Sequence, residues 1–137
     1  MFRRILVPVD FTKKNLRAVR LAVKLAASRR AQVTLLHVIE RVDAGDPGAL
    51  EGFYRKLESN ARQKMKGLLA GAKGAFPKAE VRYGNRVNEI LNYISEQKVD
   101  LVVMSSHKLA IRHPGENWGT ISYKIGILSR CPVLLVK

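Results

Sequence analysis

The sequence predicts an α/β domain, a five-stranded parallel doubly wound sheet of strand order 3-2-1-4-5 with helices on both faces. Two short apolar runs lead there: Ile5 to Val9, closing on Asp10, and Leu101 to Met104, closing on Ser105, Ser106 and His107. Runs this short and this rich in Val, Ile and Leu read as strands buried on both faces, which requires helices above and below the sheet. The third observation is strict alternation: five such strands separated by four helical patterns favour right-handed crossovers in one parallel sheet. The order 3-2-1-4-5 sets the first and fourth strands side by side where the winding reverses. Asp10 and Ser105 are then expected to face one crevice at the carboxyl ends of the strands.

The elements follow in order. From Lys13 to Arg30, Leu16, Val19, Val23 and Ala26 form one apolar stripe with Arg17, Arg20 and Lys24 off it, an amphipathic helix with Thr12 as its N-cap. Gln32 to Ile39 reads as a second buried strand. Gly45, Pro47 and Gly48 mark a loop, and a long helical pattern through Phe53, Leu57, Ala61 and Leu68 ends near Gly71 and Gly74. Ala79 to Tyr83 makes a short third strand. Asn85 caps a helix whose Val87, Ile90, Leu91 and Ile94 take the i, i+3, i+4, i+7 spacing of a buried face. After the Leu101 strand, a polar loop from Ser106 to Trp118 leads to a helix from about Thr120 to Ser129 and a last strand, Val133 to Val136. Long ordered loops in compact domains often carry function.

At 137 residues the chain suits one domain, residues 1–137, with one core. No apolar stretch approaches the roughly 20 residues that span a bilayer, so neither membrane insertion nor a signal peptide is expected. The one cysteine, Cys131, rules out an intramolecular disulfide and a Cys-based zinc site. It is expected to be buried and inert, in a cytoplasmic protein. Twenty-five Lys and Arg against 11 Asp and Glu give a net charge of +14. Such an excess favours anionic partners: nucleic acid, an acidic protein surface, anionic lipid headgroups or a nucleotide. The cations are scattered over the helices and not gathered in one block, which reads first as a solvated basic face. With few aromatic residues, no base-stacking platform is evident and nucleic acid is the least favoured of these partners.

The whole chain resembles the universal stress protein family. The resemblance is carried by Val7-Pro8-Val9-Asp10, His37-Val38, the stretch Gly84 to Leu91, Asp100 to Met104 and Cys131 to Val136. It implies a small cytosolic α/β domain, dimeric through its last strand, in a family many of whose members bind ATP or AMP. In those members an Asp after the first strand meets ribose and adenine, and a Gly-x2-Gly-x9-Gly-(Ser/Thr) motif wraps the phosphates. Carried over, the resemblance marks Pro8, Asp10, Val38, Met104, Ser105, Lys108, Gly119, Thr120 and Ile121 as candidate nucleotide contacts. It also marks Val133, Leu134, Leu135 and Val136 as the edge of a homodimer. A regulatory role under stress, or partnership with another protein such as a membrane transporter, is implied in the same way.

The motif departs from the family pattern. Its first two glycine positions fall on Ser105 and Lys108, and ten residues instead of nine separate Lys108 from the surviving Gly119-Thr120. Glycine matters there because only a residue lacking Cβ takes φ > 0 freely and lets backbone N–H groups reach a phosphate. Two outcomes follow. Lys108, Arg112 and His113, with the first N–H groups of the helix at Thr120, form an altered anion site; or the loop, turned at Pro114-Gly115 and anchored by Trp118, closes over the crevice.

Each residue also has a plainer role. Asp10 can cap the first turn and Thr120 the fourth helix. His37 reads as a satisfied, half-buried imidazole. His107 and His113 have no cysteine or carboxylate pair beside them, so no metal site is expected. Ser105 and Ser106 lack an activating signature, and no Walker A pattern exists. The expected protein is a non-enzymatic regulatory or stress-response binding module with a degenerate nucleotide motif. The alternative is an ATP- or AMP-binding stress protein using the altered anion site, and a nucleic-acid binder rests on charge alone.

Overall fold

The computed structural model describes residues 2–27, 30–41, 48–70, 76–106 and 120–137. In chain order these form β1 (Arg4–Pro8), α1 (Asn15–Ala27), β2 (Gln32–Ile39), α2 (Glu51–Leu69), β3 (Phe76–Tyr83), α3 (Arg86–Glu96), β4 (Leu101–Ser105), α4 (Ile121–Leu128) and β5 (Val133–Val136). The strands make one parallel sheet of order β3-β2-β1-β4-β5, as expected. Ile5 lies opposite Leu101 and Leu6 opposite Val102, so β1 and β4 are neighbours although three helices and two strands separate them in sequence.

Successive residues of a strand point to opposite faces, and here both faces are covered. Ile5, Val7, Val33, Leu35, Leu101 and Val103 pack with α1 and with Met65 of α2. Leu6, Leu36, Val38, Val102 and Met104 pack with Ile90, Tyr93 and Ile94 of α3 and Ile125 of α4. Two-sided burial is the physical reason why these strands are apolar without alternation. It also divides the helix charge: ten Lys and Arg fall in segments 13–27 and 51–69 on the α1–α2 side of the sheet, and two on α3 and α4.

Several elements differ from the sequence-based expectation. The third strand begins at Phe76 and not at Ala79, since Phe76, Pro77 and Lys78 pair with Gln32, Val33 and Thr34. As an edge strand it tolerates proline and charge that a central strand would not. Helix α1 is shorter than Lys13–Arg30 and rotated: Asn15, Ala18, Val19, Ala22 and Ala26 are buried, Val23 is half-buried and Leu16 is 39% exposed. Alanines four apart form a low ridge that lets the helix approach the sheet closely, a fit the larger Leu16 would prevent. In α2 the buried residues are Tyr54, Ala61 and Met65, whereas Phe53 and Leu57 are 57% and 37% exposed.

The caps of the later helices lie where expected. Asn85 accepts from the Asn88 N–H and Thr120 from the Tyr123 N–H, starting α3 and α4. Thr12 serves α1 through its carbonyl, which accepts from the Asn15 N–H, while its hydroxyl donates to Asp10. Cys131 is half-buried and not buried, with its backbone N–H and carbonyl both bonded to the Ser129 hydroxyl. Among the described residues no helix is long and apolar enough to cross a membrane.

Candidate ligand crevice at the switch point

The crevice begins with the turn after β1. Phe11 holds φ at 65°, a left-handed conformation that costs a residue with a Cβ about 1–2 kcal/mol. Asn15, in the first turn of α1 and 2% exposed, maintains it. Its Oδ1 accepts from the N–H of Asp10 at 2.9 Å and of Phe11 at 2.7 Å, and its Nδ2 donates to Ser105 Oγ at 3.2 Å. One buried amide thus uses both lone pairs on one loop and a proton on the neighbouring strand end. Lys14 Nζ donates to the Ser106 carbonyl at 3.4 Å, a second link across the same gap.

Asp10 is exposed, and its Oδ1 accepts from both the backbone N–H and the hydroxyl of Thr12, at 3.1 and 2.9 Å. This is an Asx turn, which orients the carboxylate at the rim. His37 Nδ1 lies 2.9 Å from the Val9 carbonyl and its ring is 4.5 Å from that of Phe11. Burial holds its pKa below the ordinary histidine value, and the positive charges of Arg86 and Lys64 push the same way against the hydrogen bond to Val9 and the Asp10 charge. The neutral ring therefore donates from Nδ1 and presents Nε2 as an acceptor.

These parts enclose a cleft of about 170 Å³. Pro8, Val9 and Asp10 come from the end of β1, Leu36 to Val38 from β2, Met104 and Ser105 from β4, and Thr120 to Ser122 from the start of α4. The walls from Val38, Ile90 and Met104 are apolar; Asp10, Asn15, Ser105, Thr120 and Arg86 supply the polar groups. The first turn of α4 opens into the cleft, and N–H groups at a helix start carry partial positive charge. Of the sequence-based candidates, Pro8, Asp10, Val38, Met104, Ser105, Thr120 and Ile121 converge here. Lys108, Gly119, Arg112 and His113 lie outside the described residues, as do His107, Pro114, Gly115 and Trp118.

Asn15 and Arg86 are among the lining residues that were not sequence-based candidates. Asn15 was legible only as a polar residue on an otherwise apolar helix stripe. Arg86 follows the Asn85 cap and carries no signal of its own, because the third crossover alone brings it to the cleft. The Ser105 hydroxyl faces an amide nitrogen, which donates and takes no proton, so Asn15 cannot activate it. Among the described residues no three side chains cluster as metal ligands.

At the far edge of the sheet, β5 pairs with β4 from Val133 opposite Val102 to Val136 opposite Ser105. Leu134 and Leu135 are 39% and 42% exposed, and Val133 and Val136 are half-buried.

The fold and sequence have clear relatives. The protein is 29% identical to the universal stress protein YxiE of Bacillus subtilis, the alignment covering the whole of both chains. It is 24% identical to the universal stress protein MJ0531 of Methanocaldococcus jannaschii, over all of this chain and 83% of that one. The solved structure of the protein MJ0577 superposes with a TM-score of 0.83 at 26% identity, over 100% of this chain and 96% of that one. A universal stress protein in complex with cAMP gives 0.77 at 20% identity, over 99% and 97% of the two chains. One from Archaeoglobus fulgidus in complex with dAMP gives 0.72 at 16%, over 99% and 98%. The family model described as Universal stress protein family matches residues 1–137, and the chain belongs to that family.

Proposed function

We propose that this protein is a non-catalytic regulatory module whose switch-point crevice takes the nucleoside part of an adenine nucleotide. The observation that carries this reading is the convergence of Asp10, Val38, Met104 and the first turn of α4 on one cleft at the junction of β1 and β4. Its small volume suits a base and its sugar, leaving the phosphates at the mouth. Val38, Ile90 and Met104 offer the base apolar walls, Asp10 a carboxylate for ribose hydroxyls, and the N–H groups of α4 a partial positive charge for a phosphate. Two structural relatives, bound to cAMP and to dAMP, support the choice of ligand class.

The Ser105 hydroxyl is held by the Asn15 amide nitrogen, which takes no proton, and this supports binding without turnover. Binding of this kind transmits a signal when it changes which partner the protein meets. The outer edge of β5, with Leu134 and Leu135 exposed, supports a homodimer as the form that does so.

Isothermal titration with AMP, ATP and cAMP tests the reading. Wild type gives saturable heat with at least one of them, and Asp10→Ala weakens it at least tenfold while guanine nucleotides bind less well. Absence of heat and of any thermal shift with every adenine nucleotide at millimolar concentration overturns it.

A further inference from the structure

We propose that the outer surface formed by α1 and α2 is a docking face for an anionic lipid bilayer, which the protein would meet peripherally and without insertion. The charge of the molecule is strongly one-sided. From Lys13 through the end of α2, the two helical segments 13–27 and 51–69 carry ten Lys and Arg against two Glu, whereas α3 and α4 on the opposite side carry two of each sign. No acidic residue occurs between Phe11 and Ile39. The two carboxylates on this side, Glu51 and Glu58, pair with Arg55 and Arg62 one turn along the same helix, at 2.9 and 3.5 Å. Among the described residues no cation of α1 has an ion-pair partner.

Spacing makes the excess a surface and not a total. Arg17, Arg20 and Lys24 are all exposed and lie at i, i+3 and i+7, one stripe along the outer side of α1. Right-handed crossovers place α2 beside α1 on the same side of the sheet, so its own exposed cations extend the stripe into a face. Charge of one sign over that area attracts a polyanion at distances up to a Debye length.

The same face exposes large apolar side chains. Phe53 of α2 and Leu16 of α1 are 57% and 39% exposed, whereas Leu57, one turn from Phe53, lines a cleft with Phe11, His37 and Glu40. A nucleic-acid backbone would leave Phe53 and Leu16 in water. A bilayer surface answers both features, since anionic headgroups meet the lysines and arginines while aromatic and leucine side chains settle at the headgroup boundary.

The test is co-sedimentation with vesicles of phosphatidylcholine alone and of phosphatidylcholine with phosphatidylserine. Wild type binds only the second, and salt weakens the binding. Arg17→Glu/Arg20→Glu/Lys24→Glu loses at least about a hundredfold in affinity, each cation near such a surface being worth about a factor of five and each reversal adding repulsion. Lys98→Glu/Arg130→Glu/Lys137→Glu removes equal charge from exposed positions off this face and keeps most of the binding. Phe53→Ser loses about tenfold, the loss persisting at high salt. Circular dichroism confirms that each variant is folded. Equal losses for the two triple variants would show a net-charge effect and overturn the proposal. Failure to bind phosphatidylserine vesicles would overturn it too, as would capture of duplex DNA through the α1 stripe by a protein that leaves vesicles unbound. None of these outcomes depends on whether the crevice takes a nucleotide.

Discussion

Asn15 and Ser105, ninety residues apart, meet at 3.2 Å beneath the crevice, the amide of the first helix donating to the hydroxyl at the end of β4. Through this bond and the two backbone N–H groups that Asn15 accepts, the first turn of α1 sets both the strained Phe11 and the position of Asp10. Replacing Asn15 by alanine leaves two N–H groups without acceptors in a part-buried site, at about 2–4 kcal/mol. Urea unfolding should show that loss for Asn15→Ala and no more than about 1 kcal/mol for Ser105→Ala, which removes a single bond. Equal losses would mean that the hydroxyl, and not the backbone, depends on Asn15.

His37 makes stability depend on pH in a definite direction. Its folded pKa lies below the unfolded value of 6.5, chiefly through burial, so below pH 6.5 the unfolded chain takes up a proton that the folded one refuses. The stability contributed by the neutral ring is complete above that pH and declines as pH falls toward the lowered folded pKa. Urea midpoints measured from pH 7.5 to 5 should fall less steeply for His37→Gln than for wild type. Parallel curves would assign the pH dependence to other groups.

Gly84 sits between β3 and α3 with φ at 141°, where its N–H donates to the Ile39 carbonyl. A Cβ added there meets Glu89 Cγ and Oε1 at 3.0 Å. Glu89 also approaches Arg82 at 3.8 Å, so displacing it disturbs the link between β3 and α3. Gly84→Ala should lower stability by about 1–3 kcal/mol, mostly as backbone strain. If Gly84→Ala/Glu89→Ala recovers more than half of the loss, crowding by Glu89 and not the backbone angle is the larger cost.

Thr120 caps α4 through the Tyr123 N–H at 3.4 Å and lines the crevice at the same time. Thr120→Ala should cost about 1 kcal/mol of stability and Thr120→Ser much less. In titrations with AMP, the serine variant should retain affinity and the alanine variant lose it, as a frayed first turn no longer presents its N–H groups. Unchanged affinity in the alanine variant would remove α4 from the phosphate contacts.

The exposed outer edge of β5 gives the dimer reading its own measurement. Sedimentation velocity should find wild type as a dimer and Leu135→Lys as a monomer, because a charge opposite the partner edge opposes pairing. A wild type that stays monomeric at micromolar concentration removes β5 from the proposal.

The strands were legible because a strand covered on both faces has to be apolar throughout: Ile5 to Val9, Gln32 to Ile39 and Leu101 to Met104 announce themselves. β3 was read too short at Phe76 to Lys78, whose pairing depends on a neighbour and not on their own pattern. Of the candidate site, the strand ends and the α4 cap were legible because each lies beside a clear element boundary. Lys108 to Gly119 was read as a changed motif, and those residues fall outside the described structure.

Local chemistry by itself determined the alternation of strands and helices, the caps at Asn85 and Thr120 and the excess of positive charge, since each is written in neighbouring residues. Only the tertiary structure decided that Ala18 and Ala22 turn inward while Leu16 faces water, because periodicity defines a stripe but the gap between helix and sheet selects its width. It likewise decided that Asn15 reaches Ser105 and that the cations of α1 and α2, apart in sequence, lie on one side of the sheet. Both follow from crossovers that bring distant segments together, a geometry that no local pattern carries.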